Sequence, residues 1–201
     1  MTYRFLVDTY ETEILKVLGV WSMFEDPDLR RRPMPHDNRG RSPLEHMVHQ
    51  CVSENLWFST MLGIHVTDNP LPKEETRAGF LRRYARDASR RHAAVAEKPP
   101  EWWEEEAAFF ETRRSRAWIM TRRLTHTAHH RGQQTALLRM FGRDLHSTYG
   151  PTADTGGLMA DHAPVIYPYS DLATLLEQEQ GERRKARLPG PGARPATERP
   201  G

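Results

Sequence analysis

The stretch His126-Thr-Ala-His129-His130-Arg-Gly-Gln133 places two histidines four residues apart in a segment with the periodicity of an amphipathic helix. Four residues rotate a helix by about 400°, so His126 and His130 share a face with an offset of about 40°. Two neutral imidazoles one turn apart have the separation needed to bind one transition-metal ion, which still requires a third ligand. His129 is three residues from His126, and spacing leaves it open as a ligand.

An upstream segment, Ser42 to Gly63, carries the signals of a second helix. Ser42 is a typical N-cap, Pro43 suits the first helical position, and Glu45 completes a capping box. Gly63 is the expected residue just past the C-terminus. The capping box makes a backbone bond the favoured role of Glu45.

The first half of this helix holds His46 and His49, which are neighbours on one face because they are three residues apart. Glu54 follows His49 at +5 and Trp57 follows it at +8. Together with the later His-x3-His-Arg-Gly-Gln, this pattern resembles the DinB-like family, the DinB and YfiT superfamily of bacterial four-helix metal proteins. The resemblance covers roughly residues 1–145.

The resemblance implies an all-α fold, a four-helix bundle with a three-histidine site that has open coordination positions. The positions that match are His49, His126 and His130, although spacing leaves His46 and His129 as alternatives. The implied cofactor is one divalent ion, with Zn, Ni and Fe all suited to nitrogen ligands. The implied activity is a metal-dependent S-transferase that uses a low-molecular-weight thiol and an electrophilic substrate. The alternative is a non-catalytic metal-binding or stress-response protein, and the sequence singles out no catalytic residue.

Hydrophobic periodicity predicts four long helices, at about residues 2–24, 42–63, 73–97 and 111–141, with no strand-like alternation. The bundle is predicted to span residues 1–145. Residues 146–187 are predicted to form an extension that packs on the bundle and includes a short helix at about 170–180, and residues 188–201 a disordered tail. Within the extension, the segment 149–169 is predicted to pack beside the mouth of the metal site. Aromatic residues exceed what one bundle end would bury, which favours a homodimer; these are Trp102, Trp103, Phe109 and Phe110.

Composition narrows the class of protein. The charged fraction is 28% but the net charge is only +2, which argues against a nucleic-acid partner. The basic runs at 30–32, 113–116 and 122–123 are interpreted as solvated faces. The single cysteine, Cys51, is predicted to be a buried small hydrophobe in a reducing compartment. The sequence shows no signal peptide and no membrane span, so a soluble cytoplasmic protein is expected.

Neighbours of the histidines carry weaker predictions. Gln133 is placed to bond a metal-bound water or a neighbouring helix, and Gly132 is expected to let another helix approach closely. Glu54 and Trp57 are interpreted as a structural polar partner and a core aromatic residue. Arg131 is expected to point about 100° away from His130.

Overall fold

The computed structural model describes residues 3–180 and 185–192 of the 201-residue chain. Four long helices dominate it, in agreement with the predicted all-α fold. They are α1 (Arg4–Met23), α2 (Pro43–Leu56), α3 (Arg77–Ala96) and α5 (Arg116–Met140). The short helices α4 (Pro100–Glu104) and α6 (Leu172–Gln178) lie after α3 and near the end of the described chain.

The core lies where α1 packs against α3 and α5, with α2 packed on α5. Val17, Trp21, Phe80 and Ile119 are completely buried there. The ring of Trp21 meets that of Phe80 edge to face, with centroids 6.3 Å apart. Burial of such large apolar side chains from every long helix is the main stabilising contribution to the bundle.

Side-chain caps fix where the helices begin. Ser42, Thr76 and Ser115 each accept a hydrogen bond from the backbone N–H three residues on, at 3.3, 3.1 and 3.3 Å. The start of α2 is therefore the predicted one, whereas α3 and α5 begin about four and five residues later than periodicity suggested. Gly63 and Gly142 adopt φ of 67° and 70° and end their helices as expected.

A β-hairpin occupies the linker before α5. Strand β1 (Glu106–Phe109) pairs antiparallel with β2 (Thr112–Ser115), so that Glu106 faces Ser115 and Phe109 faces Thr112. The expectation of no strand, and of a helix from residue 111, was wrong. Strands of four residues are too short to show an alternating pattern, and Phe110 at the turn adopts φ 51°, a left-handed conformation.

The chain after α5 folds back along α1. The ring of Pro168 packs closely against Gly19 of α1. A Cβ added at Gly19 would be only 3.1 Å from that ring, so the glycine permits the close approach. The hydroxyl of Tyr149 donates to Glu13 at 3.1 Å and contacts the guanidinium of Arg131. These contacts lie on the α1 side of α5, so they give no support to a lid over the histidines.

The last described residues are irregular. Gly190 donates its backbone N–H to the carbonyl of Asp154 at 3.1 Å. The predicted tail 188–201 is thus described only up to residue 192, and its remainder lies outside the described residues. Within the described part of the chain, none of the helices has the length and apolar character needed to span a bilayer.

Candidate metal centre

The start of α2 sets the position of two histidines. Ser42 Oγ accepts from the Glu45 N–H, and Glu45 Oε2 accepts from the Ser42 N–H at 2.8 Å, as the capping-box prediction requires. This reciprocal cap fixes the helix register from its first residue. His46 and His49 consequently lie in the first two turns of α2, and both of their rings face His130 of α5.

Helix α5 contributes the other two histidines of the group. The Nε2 atoms of His126 and His130 are 3.2 Å apart, as expected for residues one turn apart on one face. One ring nitrogen from each of His49, His126 and His130 lies within 4.8 Å of the others. The fold therefore brings together three histidines that could hold a metal ion, and they are the three that the family pattern indicated.

His46 and His129 lie next to this triad but outside it among the described residues. The His46 ring centroid is 5.6 Å from that of His130, and its Nδ1 is buried with no hydrogen-bond partner in the described chain. His129 is exposed, with its centroid 5.0 Å from that of His130. Tertiary packing thus separates candidates that helical spacing could not.

The triad imidazoles are held in the neutral, ligand-competent form. Burial, followed by the charge of Arg41, lowers the pKa of His49 to about 4, and burial, followed by the charge of Arg123, lowers that of His126 to about 3. Burial also lowers the pKa of His130. A metal must compete with protons for an imidazole, so low pKa values favour the neutral form, in which each ring has one nitrogen lone pair at neutral pH.

Gln133 orients the ring of His130. The His130 Nδ1 lies 2.8 Å from Gln133 Oε1, and an amide oxygen only accepts. Nδ1 therefore carries the proton, and the lone pair is on Nε2, which points to His126. The sequence predicted that Gln133 bonds a metal-bound water or a neighbouring helix. Its partner in the structure is instead His130, one turn before it on the same helix.

A second neighbour, Arg123, contacts His126 from the protein interior. Its Nη1 is 3.3 Å from His126 Nδ1, and its Nη2 is 3.5 Å from the carboxylate of Glu54. Arg123 is only 1% exposed, so the interpretation of residues 122–123 as a solvated face was wrong for this residue, although Arg122 is exposed. A buried guanidinium needs a partner carboxylate, and Glu54 supplies it.

Glu54 connects all four long helices behind the site. Its carboxylate accepts from the hydroxyls of Tyr10 at 2.7 Å and Tyr84 at 2.8 Å, and pairs with Arg91 at 3.3 Å. The interpretation of Glu54 as a polar structural partner agrees with these contacts. Its connection to His126 through Arg123 was missed, because it joins residues of two different helices.

Trp57 marks the wall of the site nearest the hairpin. Its ring stacks on that of His126 with centroids 5.7 Å apart, and Phe109 packs edge to face against it at 5.3 Å. Trp57 starts a π-helical turn, Trp57–Met61, that extends α2. The aromatic residue is thus buried as predicted, and it also contacts a triad histidine.

Two other residues named from the sequence have simpler roles. Gly132 is exposed, and an added Cβ would meet nothing within 4 Å, so the expected close approach of another helix at this position was wrong. Cys51 is buried, and burial raises the pKa of its thiol well above the usual range, which fits an inert core residue. Arg131 turns away from the triad and pairs with Glu13.

Comparison with known proteins identifies the fold and the family. A solved structure of a DinB-like protein from Bacillus cereus is similar in fold, with a TM-score of 0.63 and 16% sequence identity. The match covers 72% of this chain and 95% of that one. A comparison with curated proteins gives no match. The sequence profile of the DinB family matches residues 28–156, more than half of the chain, and the chain therefore belongs to the DinB family.

Proposed function

We propose that this protein is a metal-dependent enzyme in which His49, His126 and His130 hold one divalent ion. The observation that carries the proposal is the convergence of three ring nitrogens within 4.8 Å of one another, on side chains whose pKa values keep them neutral. A shared metal ion accounts for three buried or half-buried imidazoles whose nitrogens converge on one point. Structural histidines more often satisfy their nitrogens with backbone or carboxylate groups.

The donor set fits such an ion. Two nitrogens bound at about 2.1 Å with tetrahedral angles lie about 3.4 Å apart. The 3.2 Å between the Nε2 atoms of His126 and His130 is close to that value. Gln133 also provides the kind of outer partner that fixes a ligating imidazole. Nitrogen ligands suit zinc, nickel and iron alike, so all three remain candidates.

The proposed reaction joins a low-molecular-weight thiol to an electrophilic carbon of a substrate. The S–H bond breaks and a C–S bond forms, with the proton passing to the product in an addition or leaving with the displaced group in a substitution. An ion held by three neutral histidines retains its full positive charge, which can keep a bound thiol deprotonated at neutral pH. The protein contributes the neutral imidazoles, the partner that orients His130, and the Trp57 ring that covers one side of His126. Glu54 and Arg123 hold that side of the site rigid through buried bonds.

A non-catalytic metal-binding or stress-response role is the second candidate, and His46 favours it. This histidine is 5% exposed, its Nδ1 has no partner among the described residues, and its ring lies beside His130. A fourth protein ligand would close the site, as in structural metal centres.

Elemental analysis of protein purified without an affinity tag tests the metal site. We expect one divalent ion per chain in the wild type, loss of that ion in His126→Ala, and full occupancy in His129→Ala, the exposed neighbour that serves as control. Full occupancy in His126→Ala would overturn the assignment. A reduced affinity in His46→Ala would favour the closed, non-catalytic site.

Cobalt substitution tests the thiol step. Addition of cysteine to the cobalt-loaded protein should produce a sulfur-to-cobalt charge-transfer band, and O-methylserine, which lacks the thiol, should not. If both compounds leave the spectrum unchanged while cobalt is bound stoichiometrically, the metal site stands and the thiol-transferase proposal fails.

The homodimer and the cytoplasmic location remain predictions. The dimer was predicted from an excess of aromatic residues at one bundle end. Trp103 no longer supports that prediction, because it is buried within its own chain and stacks on Tyr3 with ring centroids 5.9 Å apart. Light scattering at tens of micromolar protein would test the dimer, and a monomer mass would contradict it.

A further inference from the structure

Four aromatic side chains form a continuous surface beside the triad, which we call the aromatic wall: Trp57, Phe109, Phe110 and Trp118. Its first ring, Trp57, is the one that stacks on His126. The hairpin supplies Phe109 and Phe110, and the first turn of α5 supplies Trp118. The wall therefore joins three separate segments at one edge of the candidate metal centre.

The outer half of this wall is open to solvent. Phe110 is 69% exposed and Trp118 is 42% exposed. Phe110 also holds a left-handed backbone conformation, which costs a non-glycine residue energy. A single exposed aromatic residue is ordinary, but two that both pack on Phe109, in a wall contiguous with a cluster of neutral histidines, are a candidate ligand surface.

A positive charge lies beside the same opening. Arg122 is one turn after Trp118 and one turn before His126 on α5, so it lies on the helix face between the wall and the triad. It is exposed, and it forms no ion pair within the described chain.

The nearby carboxylates do not cancel this charge. Glu45 is bonded to its own helix cap and to Arg32. Glu54 is completely buried among its partners, and Glu106 on the hairpin pairs with Arg113 at 3.5 Å. The opening thus combines an apolar wall with one cation, Arg122, that has no carboxylate partner among the described residues.

We propose that the mouth of the triad binds a small carboxylate with an aromatic or similarly apolar body, the body against the aromatic wall and the carboxylate paired with Arg122. In assigning this molecule as the electrophilic substrate, the inference rests on the proposed function. The binding surface itself consists of this chain's side chains. Its affinity for the molecule can therefore be measured without a metal.

Calorimetric titration of the full-length, EDTA-treated protein tests the surface. The probes are 1-naphthylacetate, its neutral isostere 1-naphthylacetamide, and acetate, which lacks the ring. Naphthylacetate should bind about threefold or more tightly than the amide, since one solvent-exposed ion pair contributes up to about fivefold. It should also bind more tightly than acetate, because acetate has no surface to place on the wall.

Variants locate the two contacts. Phe110→Ser should weaken naphthylacetate binding several-fold, whereas Phe5→Ser, at an exposed phenylalanine of α1, should not. Arg122→Gln should remove the preference for acid over amide, with exposed Arg82→Gln as control. Equal binding of acid and amide, or unchanged affinity in Phe110→Ser, would overturn the proposal.

The metal proposal has separate outcomes. If naphthylacetate binds as expected but the wild type takes up no metal, the surface stands and the proposed function fails. If metal binds stoichiometrically but naphthylacetate shows no wall-dependent binding, the metal site stands and the substrate class is wrong.

Discussion

Replacement of Glu54 by alanine should destabilise the protein severely, although the residue does not belong to the histidine triad. Its carboxylate is completely buried and is the shared acceptor for the hydroxyls of Tyr10 and Tyr84 and the partner of Arg91 and Arg123. Both arginines are 1% exposed, so removal of Glu54 leaves two buried cations without their carboxylate.

The magnitude follows from those contacts. Breaking a buried ion pair by removing one partner costs about 3–5 kcal/mol. Arg91 retains Asn55 Oδ1 at 2.8 Å, and Arg123 retains Ser53 Oγ at 3.0 Å, which limits the loss to about one such pair. With a slope of about 2 kcal/mol per molar urea, the unfolding midpoint should fall by about 1.5–2.5 M.

Urea unfolding of the EDTA-treated protein, followed by far-ultraviolet circular dichroism, measures this loss. Glu54→Gln keeps an acceptor oxygen and should lose less, while Glu101→Ala, at an exposed position of α4, should change stability by under about 0.5 kcal/mol. A loss below about 1 kcal/mol in Glu54→Ala would refute the reasoning. If that variant does not fold, Glu54→Gln carries the test, and its stability should lie clearly below that of Glu101→Ala.

Two further predictions concern stability. The metal-free protein should lose stability as pH falls from 6.5 toward 4. In the unfolded chain the histidines take up protons near their ordinary pKa of 6.5, whereas in the folded protein the pKa of His49 is about 4 and that of His126 about 3. Protons therefore bind the unfolded state preferentially in this pH range and favour unfolding. Urea midpoints at a series of pH values check this, and the slope should flatten in His126→Asn; a midpoint independent of pH in this window would contradict it. Gly132→Ala should raise stability by about 0.5–1 kcal/mol, because the position is an exposed helix interior with open space for the methyl group, and metal content should stay unchanged. Thermal unfolding and elemental analysis check both parts, and a lower melting temperature would show that the glycine has a packing role.

Local signals fixed much of the helical architecture in advance. The start of α2 could be predicted because Ser42, Pro43 and Glu45 determine it through backbone contacts within three residues of themselves. The starts of α3 and α5 were misplaced, because residues 73–76 and 111–115 are all polar, and a segment without apolar residues has no periodicity to mark a boundary. The hydroxyls of Thr76 and Ser115 set the actual starts. The hairpin was missed because its two strands are only four residues long, too short to show an alternating apolar pattern.

Only part of the candidate site could be predicted from the sequence. Helical spacing alone pairs His126 with His130, but it leaves His46 equivalent to His49 and leaves His129 in contention. The family pattern indicated the set that the fold brings together. The burial of Arg123 could not be predicted from the sequence, because its neighbours in the basic run do not distinguish a buried arginine from an exposed one.

By itself, the sequence determined the helical class, the caps that set helix registers, and the shared face of His126 and His130, because these depend on interactions within one or two helical turns. The tertiary structure decided which histidine of α2 meets that face, which arginine is buried against Glu54, and where the chain after α5 docks. Each of those outcomes joins residues far apart in the chain, as when Arg123 bonds Ser53 across 70 positions. A charge can be buried only where the packing of separate helices brings its partner to it, and no local pattern encodes that meeting.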